Sequence, residues 1–224
     1  MRFSASNKRT RGSVTLALSI VVSCFGCHFA LGQDVKPPRT NDDSVKRHDA
    51  TASQSPSSES AARKYFTDVV LVNQDGKKMR FYSDLLEGKV VIINSFFATC
   101  TGSCLPMSRN LEKVQQALGN RMGKDVNIIS ISVDPTVDTP ASLKAYAKKL
   151  NAGPGWYFLT GDKEMVDFAL KKIGHFVDNR EGHLNIFIIG NERSGLWKKA
   201  FGLAKSEELI AVVESVLADQ PVAK

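Results

Sequence analysis

Lys89-Val-Val-Ile-Ile-Asn-Ser-Phe-Phe97 runs straight into Ala98-Thr-Cys100-Thr-Gly-Ser-Cys104, and the change of character between the two pieces decides the fold. The first is a nearly continuous β-branched apolar run, the pattern of a central strand covered on both faces. The second sets two cysteines just past that strand, at the start of a helix predicted over 103–122. There Leu111, Val114 and Leu118 make one apolar stripe, interrupted at Gln115. Upstream, Val69-Val-Leu-Val72 and Met79-Arg-Phe-Tyr82 flank the turn residues Asn73-Gln-Asp-Gly76 and read as a β-hairpin. Downstream, Val126-Asn-Ile-Ile-Ser-Ile-Ser-Val133 is a second buried strand. Thr139 then caps a helix whose first residue is Pro140, where the missing N–H is tolerated. A strand at 156–159, a helix at 163–173, strands at 184–189 and 197–201 and a helix at 206–217 complete the alternation. That order predicts a three-layer α/β/α sandwich with a mixed sheet and an N-terminal hairpin extension, in a single domain over 63–219 with a short tail at 220–224.

The chain has 224 residues, 42% of them hydrophobic and 24% charged, enough for a real core. Its net charge of +7 is misleading, because Arg2, Lys8, Arg9 and Arg11 crowd the first dozen residues, which hold no Asp or Glu. Without those four, 26 of the 30 basic residues face 23 acidic ones, an ordinary surface, so no nucleic-acid partner is expected.

The four basic residues precede an apolar run from Val14, which ends at Ala30-Leu31-Gly32 with small residues placed for a cut before Gln33. This is an export segment, 1–32, and three fates fit it. It can be a cleaved signal peptide, a lipoprotein leader at Val21-Val-Ser-Cys24, or an uncleaved anchor, since residues 14–31 are just long enough to span a bilayer. All three put the remainder on the periplasmic or extracytoplasmic side. Cys24 and Cys27 imitate a redox Cys-x-x-C but sit inside this segment. Residues 33–62 are rich in Pro, Ser, Asp, Thr and Lys with no aromatic residue, the composition of a flexible linker. His48 falls there and reads as a solvated side chain.

Only Cys100 and Cys104 lie beyond the export segment, so one close pair carries the thiol chemistry. Ligands gather at the carboxyl ends of strands in open α/β sheets, and a helix N-terminus favours a thiolate. With Cys-x-x-x-Cys spacing, an early helix start puts both sulfurs one turn apart on a common face. Two soft thiolates suit a soft, low-coordinate ion such as Cu(I). The bland alternative is a stabilising disulfide, but closing five residues is worth only roughly 2 kcal/mol in the chain-entropy model, which favours a functional pair. A metal needs a third ligand, and His175 and His183 are the candidates within the folded region.

The layout from Val69 to Leu217 resembles the thioredoxin fold with its hairpin extension. Within it, Cys-x-x-x-Cys after Phe-Phe-Ala-Thr, then Ser132-Val-Asp134-Pro135-Thr-Val-Asp138-Thr139-Pro140, then a single His opening a late strand, resembles the Sco (SenC) copper-chaperone family. The resemblance implies copper, as Cu(I), Cu(II) or both, held by Cys100, Cys104 and His183, and favours His183 over His175. It also implies delivery of copper to the cytochrome c oxidase subunit carrying the dinuclear site. Two positions depart from the family pattern: Leu105 separates Cys104 from Pro106, and Gly182 precedes His183 where Asp is frequent. The 134–140 stretch also has an ordinary reading as turn and helix-start chemistry.

An enzyme competes with the metallochaperone, namely a thiol–disulfide oxidoreductase of exported proteins using Cys100 and Cys104 as its catalytic pair. That reading wants Cys-x-x-C and a proline before the late strand, whereas this chain has an extra residue and no Pro between Asn179 and Ile188. A peroxiredoxin would have Thr where Phe97 stands. The metallochaperone is therefore preferred, with a separate thiol reductant expected to keep the pair reduced outside the cytoplasm.

Overall fold

The computed structural model describes residues 61–220. The expectations for the export segment, for Cys24, Cys27 and His48, for the linker up to residue 60 and for the last four residues lie outside the described residues.

Fifteen elements follow in order. They are α1 (Ala61–Phe66), β1 (Val70–Asn73), β2 (Lys78–Arg80), a π-helical turn (Phe81–Leu86), β3 (Val90–Phe96), α2 (Cys104–Leu118) and a 3-10 turn (Gly119–Arg121). Then come β4 (Val126–Ser132), α3 (Pro140–Lys149), β5 (Trp156–Thr160), α4 (Lys163–Lys172), a second 3-10 turn (Arg180–Gly182), β6 (Ile186–Asn191), β7 (Leu196–Phe201) and α5 (Ser206–Leu217). The seven strands form one mixed sheet in the order β2-β1-β5-β4-β3-β6-β7. β3, β4 and β5 run parallel, with Val90 opposite Val126 and Phe96 opposite Ser132; β1 and β6 are antiparallel to them, and β2 and β7 pair antiparallel with β1 and β6 at the two edges.

The two-residue period of β3 explains the three layers. Val90, Ile92 and Phe96 point into a core closed by α2, α3 and α5, where Met107, Leu111, Tyr146 and Leu209 are buried. Val91 and Ile93 point into the opposite core, closed by α1, the π-helical turn and α4. All seven residues of β3 are buried, as its apolar run demands. α3 starts as expected, with Ser142 N–H donating to Thr139 Oγ1 at 3.2 Å and Pro140 as first residue. Among the described residues no helix is long and apolar enough to cross a membrane.

The structure corrects several boundaries. Phe81 and Tyr82, expected in the second hairpin strand, open the π-helical turn instead. Phe81, Tyr82, Leu85 and Leu86 are all buried, and that spacing can face one core only from a helical turn. The predicted helix 103–122 ends at Leu118, where Gly119 takes φ +51°. The late strand starts at Ile186 rather than Leu184, and Asn185 just ahead of it accepts from Ser103 through its side chain. α1 was not foreseen; six residues are too few to show a period, and only Phe66 is buried, against Phe81 and Trp197.

Candidate metal centre

β3 delivers the chain to the site. Beyond it, Cys100 N–H donates to Phe97 O at 3.2 Å, a turn that bends the cysteine loop back over the strand end. Cys104 is the first residue of α2 and only 2% exposed, whereas Cys100 precedes the helix and is half-buried. The two sulfurs are therefore not stacked on one helical face, as the spacing suggested. Pro106 supplies the reason. It has no N–H, so it fits only the first turn of a helix, and a start near Cys100 would put it in the interior. The first helical bond runs from Met107 N–H to Ser103 O at 3.0 Å. Loop geometry, not helix periodicity, brings the thiols together.

His183 comes from the other side, just after the turn Arg180–Gly182. Its Nε2 lies 3.1 Å from Cys104 Sγ and its Nδ1 3.1 Å from Arg180 O. A carbonyl only accepts, so Nδ1 carries a proton, and Nε2 is the ring nitrogen that faces the sulfur and could take a metal ion. The imidazole also meets the Phe97 ring edge-on, 5.4 Å between centroids. One ligand atom each from Cys100, Cys104 and His183 lie within 4.8 Å of one another. No carboxylate belongs to the group, so the donor set fits a soft, thiophilic ion better than a hard one.

Electrostatics differ from the helix-dipole expectation. Burial pushes the Cys104 thiol well above its usual range, and the adjacent Cys100 raises it further, against weaker help from backbone N–H groups. Desolvation outweighs the helix N-terminus, so metal-free Cys104 keeps its proton and a metal ion must displace it.

Two neighbours of the site escaped the sequence reading. Ser103 does not cap α2 with its side chain; its Oγ–H donates to Asn185 Oδ1 at 2.5 Å, tying the cysteine loop to the histidine strand. Asp138, read as turn chemistry, is 1% exposed and accepts from Ala98 N–H at 3.0 Å and Ser132 Oγ–H at 2.6 Å, which fixes the loop ahead of Cys100. Burial pushes its carboxyl up despite both bonds. Nothing in the pattern Asp-Thr-Pro distinguishes such a tether from a helix start.

His175 lies apart from the donor group. It is 2% exposed, with Nδ1 3.1 Å from Ser95 Oγ. Burial, with Lys199 nearby, lowers its pKa from 6.5 to about 4. The folded form thus resists protonation while the unfolded chain accepts it, so stability is full above pH 6.5 and is lost as pH falls towards 4. About 3 kcal/mol is expected to disappear across that window. Urea midpoints at pH 7 and pH 4.5 check this: His175→Gln should flatten the pH dependence, and a slope equal to the parent's would refute the assignment.

Comparison with known proteins identifies the family. The SCO1/SenC family model matches residues 57–217. A SCO1 protein homolog of Bacillus subtilis (strain 168) is 38% identical over 113 residues, covering 49% of this chain and 57% of that protein. The chain thus spans about half the length of the curated relatives it matches. Among solved structures, BsSco, titled for a disulfide switch and as a member of the Sco family of cytochrome c oxidase assembly proteins, is 32% identical. It superposes with a TM-score of 0.54 over 66% of this chain and 90% of its own. Yeast Sco1 with copper bound gives 25% identity and a TM-score of 0.56 over 68% and 92%. The match extends from before α1 to the end of α5, through the strand, cysteine loop and histidine turn described above, and the chain belongs to the SCO1/SenC family.

Proposed function

We propose that this chain is an extracytoplasmic copper metallochaperone that carries copper into cytochrome c oxidase assembly, with Cys100, Cys104 and His183 as ligands. The observation that carries the reading is the convergence of two thiols and an imidazole within 4.8 Å, without a carboxylate among them. Related proteins named for copper and for oxidase assembly support it. The buried Cys104 anchors the ion, while Cys100 and His183, both half-buried, offer the sides from which a partner's ligand reaches it. Leu105 and Leu184, next in the chain to Cys104 and His183, are exposed and give that partner an apolar rim. The partner is the oxidase subunit with the dinuclear copper site, and a thiol reductant acts upstream. The export segment 1–32 places this work outside the cytoplasm.

The test is copper stoichiometry with X-ray absorption on the reduced chain. One copper per chain with sulfur scattering from two ligands and one nitrogen is expected; a spectrum without sulfur scattering overturns the reading. Thiol–disulfide exchange is the second reading, favoured by two free thiols close enough to bridge and by the disulfide switch named for BsSco. Under it, the chain reduces a disulfide or oxidises a dithiol of an exported protein, its own Cys100–Cys104 pair undergoing the opposite change, without copper.

A further inference from the structure

The His183 turn is weakly tied to the body of the protein through its backbone. Among the described residues, the backbone hydrogen bonds of the 176–184 segment stay inside the turn, from Gly182 N–H to Asn179 O and from His183 N–H to Arg180 O. Side chains must therefore hold it. Arg180 does so twice. Its Nη1 lies 2.5 Å from Asp134 Oδ2, at the far side of the site just past β4, and its guanidinium lies 5.1 Å over the Phe97 ring. Phe97 is the same ring that His183 meets edge-on. Glu181 also reaches Arg180 Nε at 3.4 Å but is itself largely exposed.

Asp134 is well placed to receive this load. It is 12% exposed against 43% for Arg180, and its second oxygen accepts from Thr136 Oγ–H at 3.1 Å. Its backbone N–H donates to Ser132 Oγ, whose own hydrogen goes to Asp138, the residue that holds Ala98. The 134–138 turn thus grips both arms of the site, the cysteine loop through Asp138 and the histidine turn through Asp134 and Arg180, and contributes no donor itself.

We propose that Arg180 and Asp134 are positioning residues that hold the His183 imidazole against the cysteine pair. The proposal rests on the copper reading for the identity of the ion, but the positioning itself is a property of the metal-free protein. Without the Arg180 side chain, the hydrogen bonds left to residues 179–183 among the described residues are those inside the turn and that of His183 to Cys104, with Phe176 and Asn185 anchoring the chain on either side. The carbonyl that orients Nδ1 then moves with the turn. Two thiolates suffice for Cu(I), whereas Cu(II) depends more on the imidazole, so losing the clamp separates the two oxidation states.

The test uses the full chain with Arg180→Gln, Asp134→Asn, Arg180→Lys and the charge swap Arg180→Asp/Asp134→Arg. In the metal-free, reduced protein, the His183 ring protons are expected at shifts displaced by Phe97 in the parent. They should move to solvent-like values in Arg180→Gln and Asp134→Asn, and return most of the way in Arg180→Lys and the swap. With copper, Arg180→Gln should keep one Cu(I) on two sulfurs while Cu(II) affinity falls about tenfold or more, the scale for losing an outer partner of a metal-bound histidine. Unmoved His183 shifts in both neutralised variants overturn the proposal. A parent chain that takes up no copper overturns the copper reading instead, and the proton shifts still decide the clamp.

Discussion

Oxidising Cys100 and Cys104 to a disulfide is expected to abolish Cu(I) binding, with affinity falling on the order of a thousandfold or more, because two of three donors are lost together. The sulfurs are close enough for the bridge to form, within the 4.8 Å donor cluster. Once it forms, neither sulfur carries the charge a soft ion recruits, and His183 alone is a poor site. The reduced state carries its own proton cost. Burial raises the Cys104 thiol, so loading releases protons and affinity must rise with pH until the thiol titrates. Titration of the reduced and oxidised chain against a chromogenic Cu(I) chelator at two pH values measures both effects. Unchanged affinity in the disulfide form would put the metal elsewhere and make the cysteine pair a redox centre. If the prediction holds, an exported chain depends on a thiol reductant before it can be loaded.

Where one physical signal dominated, the sequence was legible. β3 is a nearly continuous apolar run, rich in β-branched residues, because both of its faces are buried. α3 announced its first residue through Thr139-Pro140, a capping arrangement that acts locally. The π-helical turn was misread because Met79-Arg-Phe-Tyr82 alternates like a strand, while the residues that decide the matter, Leu85 and Leu86, come later. Tertiary burial overrode the local alternation.

The three clustered residues were legible as well, though for different reasons. Cys100 and Cys104 stood out by elimination, and His183 by the family resemblance together with its place before a late strand. What could not be read were the residues that hold them. Asp138 reaches Ala98 across 40 positions and Arg180 reaches Asp134 across 46. No period or local motif records a pairing at such separation; it exists only once β4 and β6 flank β3, which gathers the loops after β3 and β4 and the turn before β6 at one end of the sheet.

His183→Ala is expected to weaken Cu(II) binding about tenfold to a hundredfold or more, while His175→Ala leaves stoichiometry and affinity unchanged, a scale bounded from below by what mere outer partners of a metal-bound histidine contribute. The asymmetry follows from geometry. His183 aims Nε2 at Cys104 Sγ from 3.1 Å, with its tautomer fixed by Arg180 O, so its removal takes away a donor already oriented for the ion. His175 is buried and directs Nδ1 to Ser95 Oγ, outside the donor cluster. Its truncation leaves a cavity and strips Ser95 of its partner, so His175→Ala loses thermal stability, about 1–3 kcal/mol, instead of copper. The two variants thus fail in different assays: His183→Ala should melt near the parent temperature and lose the nitrogen contribution in X-ray absorption, and His175→Ala should do the reverse. Copper titration must be run well below the melting temperature of His175→Ala, so that unfolding does not masquerade as lost affinity. Equal Cu(II) affinities for the two variants would make His183 a bystander, and the thiol pair would then stand as a dithiol centre that needs no third ligand.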